Sequence, residues 1–101
     1  MTCQESLILL MDELLKLFEE GNKIVYRTLI SLRHKIRRED EDVVYDAFRS
    51  FYLANQSLFA VKDVGLFKLS PFYYECELIW SELSPANRFL VWKWIDCITQ
   101  F

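Results

Sequence analysis

Apolar residues recur at three- and four-residue spacing along the first part of the chain, which is the pattern of amphipathic helices. The first stripe comprises Leu7, Leu10, Met11, Leu14, Leu17 and Phe18. Thr2 and Glu5 match a capping box at its start, and Gly21-Asn22 predicts a left-handed stop at its end. The second stripe comprises Val25, Leu29, Leu32 and Ile36. It lies in a helix predicted over 23–38, and the short connection predicts an antiparallel hairpin of the two helices.

Four acids in succession, Glu39-Asp40-Glu41-Asp42, separate the second stripe from a third. Because carboxylates favour the positive end of a helix, we expect a helix from about residue 40 to 55. Its bulky apolar face comprises Val44, Ala47, Phe48, Phe51 and Tyr52. Residues 56–69 have weaker periodicity and predict a short helical turn followed by a loop. This segment is expected to bury Leu58, Phe59, Leu66 and Phe67.

The phrase Leu-Ser-Pro occurs twice, at Leu69-Ser70-Pro71 and at Leu83-Ser84-Pro85. Serine at the N-cap followed by proline is a strong helix start, since proline lacks the amide proton that would be left unbonded there. We therefore predict helices over about 71–82 and 85–99. Each carries a tryptophan ten residues after its serine, at Trp80 and Trp94.

These elements predict an all-α bundle of about five helices that forms a single domain over residues 1–101. The N-terminal hairpin is followed by a third helix, and the aromatic C-terminal helix pair is expected to pack across that helix. Hydrophobic residues make up 52% of the chain and aromatic residues 16%. Because a domain of this size has a limited interior, we expect part of this surface to lie in a homo-oligomer or against another protein.

The aromatic C-terminus points to such an interface. Trp92 and Trp94 are two residues apart and so point about 200° apart around a helix axis. The helix that carries them must be buried on two sides, either at the centre of the bundle or through a second surface contact. If a second surface contact buries the helix, the interface anchors are Phe89, Trp92, Trp94 and Trp80, since aromatic side chains are enriched at interfaces.

Charge is distributed unevenly, although the formal net charge is only −3. Residues 23–38 carry six bases and no acid, and acid-rich segments flank them on both sides. Within this stretch Arg33, Lys35, Arg37 and Arg38 are candidates for contacts with nucleic-acid phosphates. The flanking acids favour the opposite interpretation, in which ion pairs within the chain neutralise the basic helix.

Candidate catalytic groups are few. The single histidine, His34, is predicted on the solvent side of its helix, and the three cysteines (Cys3, Cys76 and Cys97) lack paired metal-ligand spacing. With two glycines in the chain, no phosphate-binding loop is evident. We expect no enzyme, cofactor or metal, although a sequence without motifs leaves an intracellular enzyme open as a third hypothesis.

Cysteine usage and the N-terminal residues bear on location. An odd number of cysteines is typical of free thiols in a reducing compartment. The N-terminus has no basic region before its apolar run and does not predict a secretory signal. No apolar run approaches the roughly 18 residues of a membrane span. We expect a protein of the cytoplasm or nucleus, with no membrane partner.

The second half of the chain carries a recognisable set of phrases. They are Phe51-Tyr52-Leu53-Ala54-Asn55-Gln56-Ser57-Leu58, Leu66-Phe67, Leu78-Ile79-Trp80, Leu83-Ser84-Pro85-Ala86-Asn87-Arg88 and Val91-Trp92-Lys93-Trp94-Ile95. This half resembles small helical proteins of large nucleocytoplasmic DNA viruses. The resemblance implies a viral origin and a place in the host cell or the virion, and it brings no catalytic pattern. We therefore expect a non-enzymatic interaction or assembly factor, with a nucleic-acid-associated protein as the alternative.

Overall fold

Six helices make up most of residues 1–66 and 73–101, the part of the chain that the computed structural model describes. They are α1 (Cys3–Phe18), α2 (Lys23–Arg38), α3 (Glu41–Ala54), α4 (Gln56–Ala60), α5 (Tyr73–Ser81) and α6 (Pro85–Ile98). These two ranges contain no strand, so the predicted all-α fold is confirmed. The five longer helices match the five predicted, and α4 is the predicted helical turn. The first Leu-Ser-Pro start and the predicted burial of Phe67 lie outside the described residues.

Side chains cap the helices where the sequence predicts helix starts. The hydroxyl of Thr2 accepts a hydrogen bond from the amide of Glu5 at 3.1 Å, at the start of α1. The hydroxyl of Ser84 accepts one from the amide of Asn87 at 3.2 Å, at the start of α6. Each bond satisfies an amide that has no partner within its helix.

The left-handed stop predicted at Gly21-Asn22 is wrong, because neither glycine of the chain has a positive φ. Asn22 instead forms the N-cap of α2. Its side-chain oxygen accepts hydrogen bonds from the amides of Ile24 and Val25 at 3.1 and 3.2 Å. The chain thus passes from α1 into a capped α2 without the left-handed residue that the sequence predicted.

Helices α1 and α2 form the expected hairpin. Leu10, Met11 and Leu14 are buried on α1, as are all four residues of the α2 stripe. Leu17, which was predicted in the α1 stripe, is instead 48% exposed near the end of the helix. On the polar side, Arg33 Nε donates to Asp12 Oδ1 at 2.6 Å. Burial of the two stripes against each other is the main stabilising contribution in this half of the fold.

The remaining helices pack on this hairpin. Helix α5 packs against α2, α6 packs against α1, and α3 packs against α1 and α4. The prediction that the aromatic C-terminal pair packs across the third helix therefore needs correction, since the hairpin is its main support. Helix α3 reaches the pair through side chains: Arg49 Nη1 and Tyr45 Oη donate to the carbonyls of Thr99 and Phe101, each at 3.4 Å.

Gln4 joins the start of α1 to the junction between α2 and α3. Its side-chain amide donates to the carbonyl oxygens of Ile36 and Glu39, at 2.9 and 2.6 Å. Its backbone amide donates to the carboxylate of Glu41 at 3.0 Å. The two side-chain bonds supply donors to carbonyls at the end of α2, where no further helix amide is available to them.

Candidate functional site

Of the four predicted interface anchors, Trp92 belongs to the core. Its side chain is 7% exposed and packs with Phe59 and Leu66 in an apolar cluster. Its indole contacts that of Trp80 edge to face, with ring centroids 5.5 Å apart. Trp80 is half-buried. It packs against this cluster and also against the larger apolar core that α1 and α2 form with the other helices. The two rings therefore pack within the bundle, and Trp92 offers almost no surface to a partner in this conformation.

Phe89 precedes Trp92 by about one helical turn but is 59% exposed. Its neighbour Leu90, which the sequence analysis did not single out, is 52% exposed. Trp94 is half-buried and lies one helical turn after Leu90, so the two side chains share a face. Lys93 Nζ lies 4.7 Å from the centroid of the Phe89 ring, within the range of a cation–π contact.

We refer to Phe89, Leu90, Lys93, Trp94 and Cys97 as the α6 outer surface. Cys97 is exposed one turn beyond Lys93. The surface combines large apolar groups with a single cation, which is the composition of many interface cores and their rims. The sequence carries one signal for Leu90. Four apolar residues follow one another from Phe89 to Trp92, and a helix that buries Val91 and Trp92 leaves apolar side chains on its other side.

Ion pairs reduce the electrostatic field of the basic residues on α2. Arg33 is bound to Asp12 of α1, and Lys35 Nζ lies 2.5 Å from Glu75 Oε1 of α5. The hydrogen bond from Lys35 lowers the pKa of Glu75. Two of the four bases singled out for phosphate contacts are thus paired with acids of other helices.

The other two bases, Arg37 and Arg38, are exposed in the last turn of α2. Neither forms an ion pair with another residue of the described ranges. At this position they interact favourably with the negative end of the helix, which accounts for their presence without a ligand. Two free cations give a weak phosphate-binding surface, since each phosphate contact requires its own base.

The interior of the bundle contains an apolar cavity of about 360 Å³. Its wall draws on α1, α2, α3, α5 and α6, and on Phe59 and Leu66 of the segment that follows α3. The aliphatic and aromatic wall residues include Leu10, Met11, Leu14, Leu32, Ile36, Val44, Phe48, Phe51, Ile79, Trp80, Leu83, Val91 and Trp92. Most of these side chains are nearly inaccessible to bulk solvent, and the cavity opens to solvent on one side.

The apolar wall of this open cavity leaves aliphatic and aromatic side chains beside water. An apolar occupant removes such surface from water, at about 25 cal/mol per Å². Apolar clefts and cavities of about 300–1,000 Å³ are the usual sites of small-molecule ligands.

The mouth of the cavity lies near the junction of α2 and α3. Glu39, Val43 and Ala47 all line the cavity and are exposed to solvent. Among the described wall residues, Glu39 alone carries a charge. Sequence reasoning missed this cavity, because its wall comes from positions as far apart as Leu7 and Ile95 that each look like ordinary core residues.

The titratable groups form no further site in the part of the chain described. Cys3 is buried, and burial raises the pKa of its thiol to about 11. No three histidine, cysteine or acidic side chains of residues 1–66 and 73–101 gather closely enough to hold a metal ion. His34 is exposed on α2, as the sequence predicted. Within the same ranges, no helix has the length and apolarity needed to cross a bilayer.

Comparison of the chain with protein-family models, with curated proteins and with solved structures gave no match. The fold itself offers two candidate functional features, the α6 outer surface and the apolar cavity.

Proposed function

We propose that this chain is a non-enzymatic interaction or assembly factor that self-associates through the α6 outer surface. One observation carries the proposal: Phe89 and Leu90 are adjacent and more than half exposed, on a helix whose opposite face lies in the core. The second half of the chain resembles small helical proteins of large nucleocytoplasmic DNA viruses, and this resemblance supports such a virus as its origin. Such a factor acts in the host cytoplasm or nucleus, or in the virion.

Apolar burial supplies the driving force for this association. Full burial of a leucine or phenylalanine side chain contributes about 1.5–3 kcal/mol. Phe89 and Leu90 each have at least half of that gain still available in the monomer. In a two-fold dimer the same residues meet their own copies, so each contributes twice.

Charge favours a second copy of this chain as the partner. Lys93 lies on the α6 outer surface, and the exposed Asp96 is three residues further along the same helix. A two-fold axis that crosses an antiparallel pair of α6 helices between Trp94 and Ile95 places Lys93 of one copy opposite Asp96 of the other. This contact would compete with the 3.8 Å contact between Asp96 and Lys62 of the same chain. Charges at the rim of an interface add specificity more than affinity.

Dilution of the purified protein tests the proposal. We expect sedimentation equilibrium to show a reversible dimer, and Leu90→Asp to weaken the dimer by at least about tenfold. Ile24→Asp is the matched control, since Ile24 is 67% exposed on α2, away from this surface. A chain that stays monomeric at every concentration, or one in which both variants dissociate the dimer equally, would refute the proposal.

Nucleic-acid association is the alternative, and the ion pairs of Arg33 and Lys35 count against it. It predicts a gel shift that weakens steeply with salt, because phosphate contacts release counterions. Arg37→Ala combined with Arg38→Ala would abolish such a shift. If the wild type gives no shift at low ionic strength, this alternative is excluded.

A further inference from the structure

We propose that the apolar cavity binds an uncharged molecule with a single long hydrocarbon chain, such as a fatty alcohol. The proposal is independent of self-association, because the cavity lies inside the bundle and the α6 outer surface faces away from it. The observations that carry it are the volume of the cavity, the chemistry of its wall and the single acid at its mouth.

The volume fits a small-molecule ligand. Sites for such ligands occupy about 300–1,000 Å³, and this cavity has about 360 Å³. Apolar cavities of ~150 Å³ already bind benzene. At ~30 Å³ for each non-hydrogen atom, 360 Å³ accommodates about 12 atoms. A chain of that length fills the space that the side chains of the helices leave open.

The wall selects an apolar chain. Aliphatic side chains of α1 and α2 face aromatic ones of α3, α5 and α6 across the cavity, among them Phe48, Phe51, Trp80 and Trp92. A polar group placed deep in this space would lose its hydrogen bonds to water without replacement. An elongated hydrocarbon loses nothing of this kind and removes the apolar wall from water.

The mouth selects against an anionic head group. The exposed carboxylate of Glu39 is the one charged wall residue in the described ranges, and Val43 and Ala47 flank it at the entrance. A fatty acid with its head group at this entrance would place its own carboxylate near Glu39, and like charges repel. A hydroxyl instead donates a hydrogen bond to a carboxylate, which is a charge-assisted bond. The favoured ligand is therefore an alcohol rather than an acid.

Quenching of tryptophan fluorescence measures this binding directly. Trp80 and Trp92 line the cavity, so a bromine atom on the chain end quenches them when the chain enters. We expect ω-bromoundecanol to quench in a saturable manner, and ω-bromoundecanoate to bind at least about tenfold more weakly at neutral pH. Glu39→Gln should bring the two affinities together, since it removes the repelling charge.

Two valine variants link the quenching to the cavity. Val44 lines the cavity and is buried, whereas Val61 is 71% exposed and lies outside it. We expect Val44→Phe to fill the space, to keep or raise the melting temperature and to lose saturable quenching. Val61→Phe should bind like the wild type. If Val44→Phe does not fold, Ala47→Leu narrows the mouth instead and should weaken binding.

Defined results would overturn the proposal. One is an absence of saturable quenching in the wild type. A second is quenching equal to that of the wild type in a folded Val44→Phe or Ala47→Leu variant. A third is tighter binding of ω-bromoundecanoate than of ω-bromoundecanol. Leu90→Asp should bind the alcohol like the wild type. Failure of the cavity proposal is therefore distinguishable from failure of the proposed self-association.

Discussion

The indole ring of Trp92 contacts that of Trp80 edge to face, with the ring centroids 5.5 Å apart and the ring planes 70° apart. Arg88 reinforces this junction from α6, because its guanidinium lies 5.3 Å from the centroid of the Trp80 ring and donates two hydrogen bonds to the Trp80 carbonyl. The pair therefore holds α5 against α6 and makes Trp92 a structural residue. Its neighbour Trp94 remains partly available at the surface.

Trp92→Ala should destabilise the fold more than Trp94→Ala. Removal of a buried tryptophan side chain costs about 3–5 kcal/mol, whereas Trp94 is half-buried and loses less. Urea denaturation of the two variants at equal protein concentration measures the difference. Equal losses, or a larger loss for Trp94→Ala, would show that Trp92 does not have the core role assigned to it.

Replacement of Gln4 by alanine should cost about 1 kcal/mol, because the carbonyls of Ile36 and Glu39 lose their donor. The loss is modest, since water can reach this end of α2. Gln56→Ala is the control, as Gln56 is exposed at the start of α4 and its side chain makes no hydrogen bond within the described ranges. Thermal unfolding followed by circular dichroism measures both. A Gln4 variant as stable as the control would contradict the bridging role.

The thiols of Cys3 and Cys97 should differ widely in reactivity at neutral pH. Cys97 is exposed, whereas Cys3 is buried and has a raised pKa, and the thiolate is the reactive form. In dilute, monomeric protein we expect a maleimide to modify Cys97 rapidly and Cys3 only when the chain unfolds. Mass spectrometry of digests identifies the modified residue, and early modification of Cys3 would contradict its burial.

The raised pKa of the Cys3 thiol should also make the fold less stable in alkali. The pKa of its thiol rises from 9.0 to about 11 on folding, through burial and, to a smaller extent, the charge of Glu41. The unfolded chain therefore releases this proton first, and the free energy of unfolding falls as the pH rises from about 9 to about 11. Cys3→Ala should flatten that decline. If stability declines equally steeply in Cys3→Ala, other titrating groups cause the decline and Cys3 does not.

The ion pair of Lys35 and Glu75 should contribute at neutral pH and be lost in acid. Its hydrogen bond lowers the pKa of Glu75 below the ordinary value of 4.5, so the contribution disappears as the pH falls through the lowered pKa. Because Lys35 is half exposed, we expect only about 0–1 kcal/mol. Glu75→Gln should remove it, and Glu77→Gln, an exposed position on the same helix, should not. Equal effects of the two substitutions would contradict the pairing.

Local signals in the sequence predict most of this fold. Ser84 and Pro85 mark the start of α6 because a cap depends on residues within one helical turn, and the stripe of α2 is buried because its spacing matches the helical period. The Gly21-Asn22 stop was wrong for a related reason. Asn22 serves equally well as an N-cap, and local sequence alone does not decide between the two roles.

Features formed by distant residues could not be predicted in this way. The bonds of Gln4 span more than 30 positions along the chain, and nothing near Gln4 marks it as a bridge. Trp92 and Phe89 are three residues apart, yet one is buried and the other exposed, which depends on how α6 rotates against α1. The cavity likewise results from how well side chains of several helices fill the space between them, which a pattern of apolar positions does not specify.

A dilution series followed residue by residue by nuclear magnetic resonance tests the central claim, that the α6 outer surface joins two copies of this chain. We expect the amide signals of Phe89, Leu90, Lys93 and Cys97 to shift as the protein is concentrated. The signals of Ile24 and Ile30, which are exposed on α2, should stay in place. Signals that do not change with concentration, or shifts centred on α2, would contradict it.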